Sequence, residues 1–346
     1  MQQIFKQACC IDVAKDELVV TLGRLYADLS RELWARKTFP NTDKGFMALL
    51  EWVNKLTEAT PQILFVMEAT GVYHERLAYF LYSKDQQLAI VLPNKISNYF
   101  RTLDVKTITD KTASDAITHF ALDRALDEWK PANPVYRKLR QLTRERDQLV
   151  QNRTVLKNQL HAEQSEAEPN KSTLSRIKKQ IALLNKQEKE IMQDIAGIVK
   201  QHESVKQQIE LITSIPGVGF LTAVTILAET NGFELIRNKR QLTAYSGLDV
   251  IEKQSGTSVR GKSKISKKGN KYLRKAMHMP AIAAIRYNER MKAVFARLVA
   301  KHGIKMKAVV AVQRKLLELA YTILKTGVKY DGEYLQKTRE QQITTP

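Results

Sequence analysis

The sequence predicts an α/β domain followed by an all-α region, and three observations carry that prediction. Over the first 130 residues, short apolar runs of strand length alternate with amphipathic segments of helical period. Leucine and isoleucine then recur at near-heptad intervals in a highly charged background. Beyond that, apolar-periodic helical segments dominate, interrupted by one Gly- and Ser-containing basic stretch. The expected boundaries are 1–130, 131–205 and 206–330, with a tail at 331–346.

Taken in order, "ACCIDV" and "LVVTL" flank the polar turn "AKDE" and predict a hairpin over residues 8–22. "RKTFP" supplies a third strand stopped by Pro40. Phe46, Leu49, Leu50, Val53 and Leu56 lie at helical spacing, with Asn41 or Thr42 as cap. "QILFVMEAT" is a short apolar run ending near Glu68, as a buried central strand would be. "YHERLAYFLYSK" follows as a helix, "LAIVLPN" as a strand, and the segment from Thr109 to about Asp127 as a further helix. "KPANPVY" marks a boundary. Leu139, Leu142, Leu149, Leu156 and Leu160, then Ile177, Ile181, Leu184, Ile191 and Ile195 on the far side of "EAEPNKS", predict an antiparallel helical hairpin or a pair of coiled-coil helices.

With 346 residues, 43% hydrophobic and 27% charged, the chain has enough apolar material for a core. No apolar run reaches the roughly 18 to 20 residues that cross a bilayer, and no signal-peptide pattern opens the chain, so a cytoplasmic protein without a membrane partner is expected. Cys9 and Cys10 are adjacent and are the only cysteines, which excludes a disulfide framework or a cysteine zinc site. Fifty-six Lys and Arg against 36 Asp and Glu give a formal net charge of +20. An excess of that size points to a polyanion, nucleic acid foremost, because neutralising phosphates releases counterions.

Four carboxylates are candidates for convergence. Asp12 shares one strand face with Cys10 and Ala14. Glu68 ends the second apolar strand, and Asp110 and Asp115 stand in "TITDKTASDAITHF" near the start of a helix. Hard carboxylate oxygens suit Mg2+, or Mn2+, and two such ions about 4 Å apart serve phosphodiester cleavage. The plainer reading makes Asp12 a turn former, Asp110 a cap and Asp115 a solvent-facing residue; Asp104 and Asp123 compete for the third and fourth places.

"SIPGVGFLTA" has the P-G-V-G turn of a helix-hairpin-helix element, in which Gly217 and Gly219 would let a phosphate approach the backbone at a helix start; an ordinary turn between core helices is the alternative. From Lys253 to Lys275 there are nine Lys or Arg and no Asp or Glu. Its Gly and Ser content predicts a loop running into a helix near Tyr272. Lys253, Arg260, Lys262, Lys264, Lys267, Lys268, Lys271 and Arg274 are its expected phosphate contacts. Of its serines, Ser255, Ser258, Ser263 and Ser266, each taken alone reads as a hydrogen-bond donor to phosphate, since no His lies nearby to activate it.

"CCIDVAKDELVV", "FVMEATGVYHERLA", "TDKTASDA", "IPGVGFLTAVTILAE", "LTAYSGL" and "QSGTSVRGKSKISKKGNKYLRKAM" occur in one order. In that order they resemble the DEDD-type transposases of bacterial insertion sequences, the family that includes the bridge-RNA-guided recombinases. The resemblance covers residues 8 to 290 or so. It implies a RuvC-like domain of the RNase H fold, a coiled-coil connector and a transposase domain with a catalytic serine. Residue by residue, it gives Asp12, Glu68, Asp110 and Asp115 the carboxylate roles and Ser255, which precedes Gly256, the nucleophilic one. The family commonly has its last two Asp residues three apart, whereas Asp110 and Asp115 are five apart, so Asp110 must lie at or before the helix start to bind metal. The resemblance also implies a covalent phosphoserine linkage to DNA, donor and target DNA and a noncoding bridge RNA as partners, and a composite site assembled between protomers of a dimer or tetramer. A metal-dependent RuvC-like nuclease or junction resolvase without a covalent intermediate is the competing enzyme reading. A non-catalytic nucleic-acid-binding protein is the competing reading outside enzymes.

Overall fold

Both strands of the amino-terminal hairpin are longer than expected. β1 (Ile4–Val13) pairs antiparallel with β2 (Glu17–Tyr26), which pairs antiparallel with β3 (Arg31–Pro40). After α1 (Asp43–Leu56), capped by the Thr42 side chain, β4 (Leu64–Glu68) inserts parallel to β1. After α2 (Glu75–Ser83), β5 (Gln87–Val91) adds parallel to β4, so the mixed five-stranded sheet runs β3-β2-β1-β4-β5. This computed structural model describes residues 3–69, 71–103, 109–234, 236–252, 254–255, 259–261 and 263–333. It divides into two compact units, Met1–Pro131 and Ala132–Pro346.

Period-two alternation sends the two faces of the sheet into separate cores. Cys9, Ile11 and Val13 pack with Phe46, Leu49, Val53, Leu77 and Leu81 from α1 and α2. Ala8, Cys10 and Val66 face the other way, with Ile117, Phe120 and Ala121 of α4 (Asp110–Asp123). The adjacent cysteines are therefore buried, free and on opposite faces, and burial pushes both thiols well up, Cys10 to about 12. Helix α4 lies close on the sheet because Gly23 has no side chain: a Cβ there would come within 2.3 Å of the Thr118 methyl. One helix was not expected. "PNKISNYF" forms α3 (Pro93–Phe100), started by Pro93 and buried through Ile96 alone, too little apolar period to be legible.

In the second unit, α5 (Pro134–Gln164) and α6 (Lys171–Gln201) form an antiparallel hairpin of two 31-residue helices. Leu139, Ile177, Ile191 and Ile195 are buried, and Arg146 and Arg153 both reach Glu188 across the pair. Pro134, expected to break the chain, occupies the first turn of α5, where its missing N–H costs nothing. The hairpin's base shares one core with α7 (Glu203–Thr213), α8 (Phe220–Thr230) and α9 (Lys239–Ser246). The basic stretch is more ordered than the expected loop: β6 (Val250–Ile251) pairs with β9 (Lys264–Ile265), and β7 (Gln254–Ser255) with β8 (Val259–Arg260). Helices α10 (Lys271–Ala276), α11 (His278–Tyr287), α12 (Glu289–His302) and α13 (Lys305–Thr326) follow. Among the described residues, no helix is long and apolar enough to cross a membrane.

Candidate active site

Strand register brings the first two carboxylates together. Cys10 pairs with Val66 and Ile11 with Met67, so Asp12 and Glu68, each one step beyond, stand side by side at the carboxyl ends of the parallel neighbours β1 and β4. Both continue the face covered by α4. That helix begins at the same end of the sheet: Thr109 caps it, exchanging hydrogen bonds with Thr112 (3.3 Å to the Thr112 N–H, 2.8 Å from the Thr109 N–H), and Asp110 is its first residue. Asp110 thus lies at the helix start, the position its spacing from Asp115 demands. The Asp12 carboxyl is pushed up to about 6, first by burial and then by the negative charges of Asp110 and Glu68, against a hydrogen bond from the Val13 N–H. Three carboxylates therefore share one electrostatic neighbourhood.

Asp115 faces elsewhere. Five helical residues turn the side chain roughly 140° from Asp110. It forms an ion pair with Arg36 and accepts a hydrogen bond from Thr21 at 3.2 Å. Thr21 pairs with Cys10 on one side and Arg36 on the other, so this row of the sheet lies two residues, roughly 7 Å, short of Asp12 along β1. One turn after Asp110, where a second acid would share its face, stands Ala113. Of the competitors, Asp104 lies outside the described residues. Asp123 is at the far end of α4, bound by Arg31 at 2.8 Å and by the Tyr99 hydroxyl, and takes no part. Among the described residues, no three His, Cys, Asp or Glu side chains are gathered tightly enough to hold an ion as they stand.

In the second unit, Ser255 pairs with Val259 and Gln254 with Arg260 near the end of the basic hairpin. For Ser255 and Arg260 the backbone alone is described, and Lys253, Gly256, Ser258 and Lys262 lie outside the described residues. The hairpin's root is clamped by Ser266 N–H to Asp249 O (2.8 Å), Lys267 N–H to Gly247 O (3.1 Å) and Asn270 N–H to Tyr245 O (2.7 Å). Ser266 also bonds the Asp249 carboxylate, and Arg274 donates to Ser246 O at 2.8 Å, so both have structural partners where phosphate was expected. Lys264, Lys267, Lys268 and Lys271 are exposed.

Below this root lies Glu229, whose side chain is 0% exposed. It receives Arg144 of α5 through two hydrogen bonds (2.7 and 2.8 Å) and Asn270 at 2.6 Å. Arg144 in turn lies 4.5 Å from the centre of the Tyr272 ring. One buried carboxylate joins the helical arm, α8 and the end of the basic hairpin. Its only sequence signal is an acid inside the apolar run "FLTAVTILAET".

Gly217 serves a contact within the chain: its φ is +97°, and a Cβ there would sit 2.7 Å from the Ala284 backbone nitrogen of α11. Gly219, with open space around it, precedes the first turn of α8 and leaves that helix end accessible.

Acids gathered at the end of a mixed sheet in one unit, and exposed lysines on a hairpin in the other, equip an enzyme for polyanionic substrates. Comparison with known proteins gives the class its family. A model of DEDD-type transposases typified by insertion element IS110 matches residues 9–165, and one described as transposase IS116/IS110/IS902 family matches residues 209–296. The chain belongs to this family of DNA transposases and recombinases. It is 27% identical to a pilin gene-inverting protein of Moraxella bovis over 93% of this chain and 96% of the relative. It is 32% identical to the transposase for insertion sequence element IS1111A of Coxiella burnetii over 30% of this chain and 28% of the relative. Thermus thermophilus RuvC, solved with a Holliday junction substrate, aligns with 36% of this chain and 99% of its own at 9% identity and a TM-score of 0.28.

Proposed function

We propose that the protein moves an insertion sequence by cutting and rejoining DNA strands through a covalent phosphoserine intermediate, with a RuvC-like carboxylate site and a noncoding bridge RNA as guide. The observation that carries this reading is the convergence of Asp12, Glu68 and Asp110 where β1 and β4 end and α4 begins. These residues fit a divalent cation in their chemistry: hard oxygens, among which Asp12 is raised to about 6 first by burial and then by the charges of Asp110 and Glu68. Asp12, Glu68 and Asp110 would hold Mg2+ or Mn2+ after closing together, and Asp115 would join them only by leaving Arg36. Once bound, the ion supplies polarisation of a phosphoryl oxygen and a fixed place for the attacking and departing oxygens.

The chain's own groups do the rest. The Ser255 hydroxyl oxygen forms a bond to phosphorus as the bond from phosphorus to a deoxyribose oxygen breaks; the serine proton is given up and the departing oxygen takes one. Attack on the phosphoserine by another deoxyribose hydroxyl reverses the exchange and rejoins the strand. Exposed Lys264, Lys267, Lys268 and Lys271 hold neighbouring phosphates, and the open helix start at Gly219 offers a further backbone contact. Guidance by RNA agrees with a net charge of +20 and with a sequence that carries no zinc finger to read bases. A homodimer or tetramer, with the α5–α6 hairpin as its spacer, is the working form.

The test is to trap DNA on the protein under denaturing conditions and to identify RNA that copurifies. Wild type forms the adduct; Ser255→Ala abolishes it; Asp12→Ala loses recombination but keeps RNA and DNA binding. An adduct that survives Ser255→Ala removes the serine assignment, and cleavage with no adduct in wild type favours a metal-dependent nuclease.

A further inference from the structure

A groove of about 630 Å³ opens between the β6–β9 pair and helices α12 and α13. Its lining is in part apolar: Val250 (55% exposed), Ile304 (48%) and Met306 (59%) expose their side chains beside Val310. Cations share that lining, Lys264, Arg297, Lys307, Arg314 and Lys315 joined by His302, and no Asp or Glu is among the described lining residues. Among the described residues, Arg314 alone of these cations forms an ion pair, with Glu318 at 3.3 Å. Apolar side chains left in water among cations that, Arg314 apart, have no ion-pair partner among the described residues mark a surface built for a partner both apolar and anionic.

An unpaired nucleic-acid strand has that chemistry. Its phosphates are a line of negative charge, and its sugars and base faces, hidden inside a duplex, are apolar. The groove is also continuous with the basic hairpin, since Ser263, Lys264 and Ile265 form one wall. In the chain, this wall follows directly on the β7–β8 pair that carries Ser255. We infer that this groove seats a single strand of DNA, phosphates on its Lys and Arg side chains and sugar and base faces against Val250, Ile304 and Met306. The inference rests on the DNA-recombinase reading above and extends it to a place for the displaced strand.

The experiment uses the full-length protein and a short fluorescein-labelled single-stranded DNA, read by anisotropy across a salt series, with RNA of the same sequence in parallel. Lys307→Gln with Lys315→Gln is expected to weaken DNA binding about tenfold and to lower the slope of log affinity against log salt by about 1.4, the value for two lost phosphate contacts on a single strand. Ile304→Ser with Met306→Ser, both exposed and dispensable to the core, weakens binding by several-fold and leaves the slope unchanged. Lys186→Gln with Lys189→Gln on α6 has the smaller effect. DNA affinity and slope unchanged in the groove variants, or loss equal to that of the α6 variant, overturns the proposal. So does loss confined to RNA, or a changed sedimentation mass with DNA binding intact, which would make the face a contact between copies. If wild type binds the oligonucleotide but forms no serine adduct, the functional reading fails while the groove stands.

Discussion

At the scale of single residues, the acids explain themselves by their neighbours. Asp12 ordinarily releases its proton near 3.8 but holds it to about 6 in the fold, so the folded state binds the extra proton between those values and rising pH favours unfolding across that window. In chelator, wild type should lose about 1 kcal/mol from this group between pH 4 and 6, screening by solvent having reduced the full effect. Asp12→Asn should melt higher than wild type above pH 6, a difference calorimetry reads directly. Glu229 is buried against a cationic partner, Arg144. Arg144→Met leaves a buried carboxylate without its counter-charge and should cost about 3 kcal/mol in urea unfolding, much of it recovered when Glu229→Met is added. Asp12 and Glu68 were legible because each ends an apolar run on a period-two face. The partner of Asp115 was not, because Arg36 reaches it only through the register of β3 on β2, which a single strand pattern does not encode.

At the scale of elements, the two glycines of the P-G-V-G turn separate. Gly217→Ala must adopt φ near +97° and meets the Ala284 backbone at 2.7 Å, so a loss of about 3 kcal/mol is expected. Gly219→Ala has open space and an ordinary φ of −89°, and its melting temperature should stay close to wild type. The sequence motif treats the two alike; what distinguishes them is α11, which arrives from more than 60 residues downstream. The long hairpin α5–α6 was readable in both length and break, because its leucine and isoleucine period is sustained. In sequence the basic stretch has the pattern of a loop, because strands of two residues have no period to detect.

At the scale of the whole molecule, the chain forms two units that each own a core, with Pro131 closing the first. Residues 1–131 expressed alone should fold cooperatively, with a melting transition by circular dichroism that also appears as a separate component in calorimetry of the full chain; an unfolded fragment would contradict it. Sequence separated these regions through a change of period, from strand-length runs to heptads, although the arm and the helices after it share one core. That arm has a consequence in length. Thirty-one residues per helix give about 46 Å, the span of about 14 base pairs of duplex. Adding one heptad to each helix lengthens it by about 10 Å while the same faces still meet, so in the proposed spacer role the distance the arm sets should move by that step.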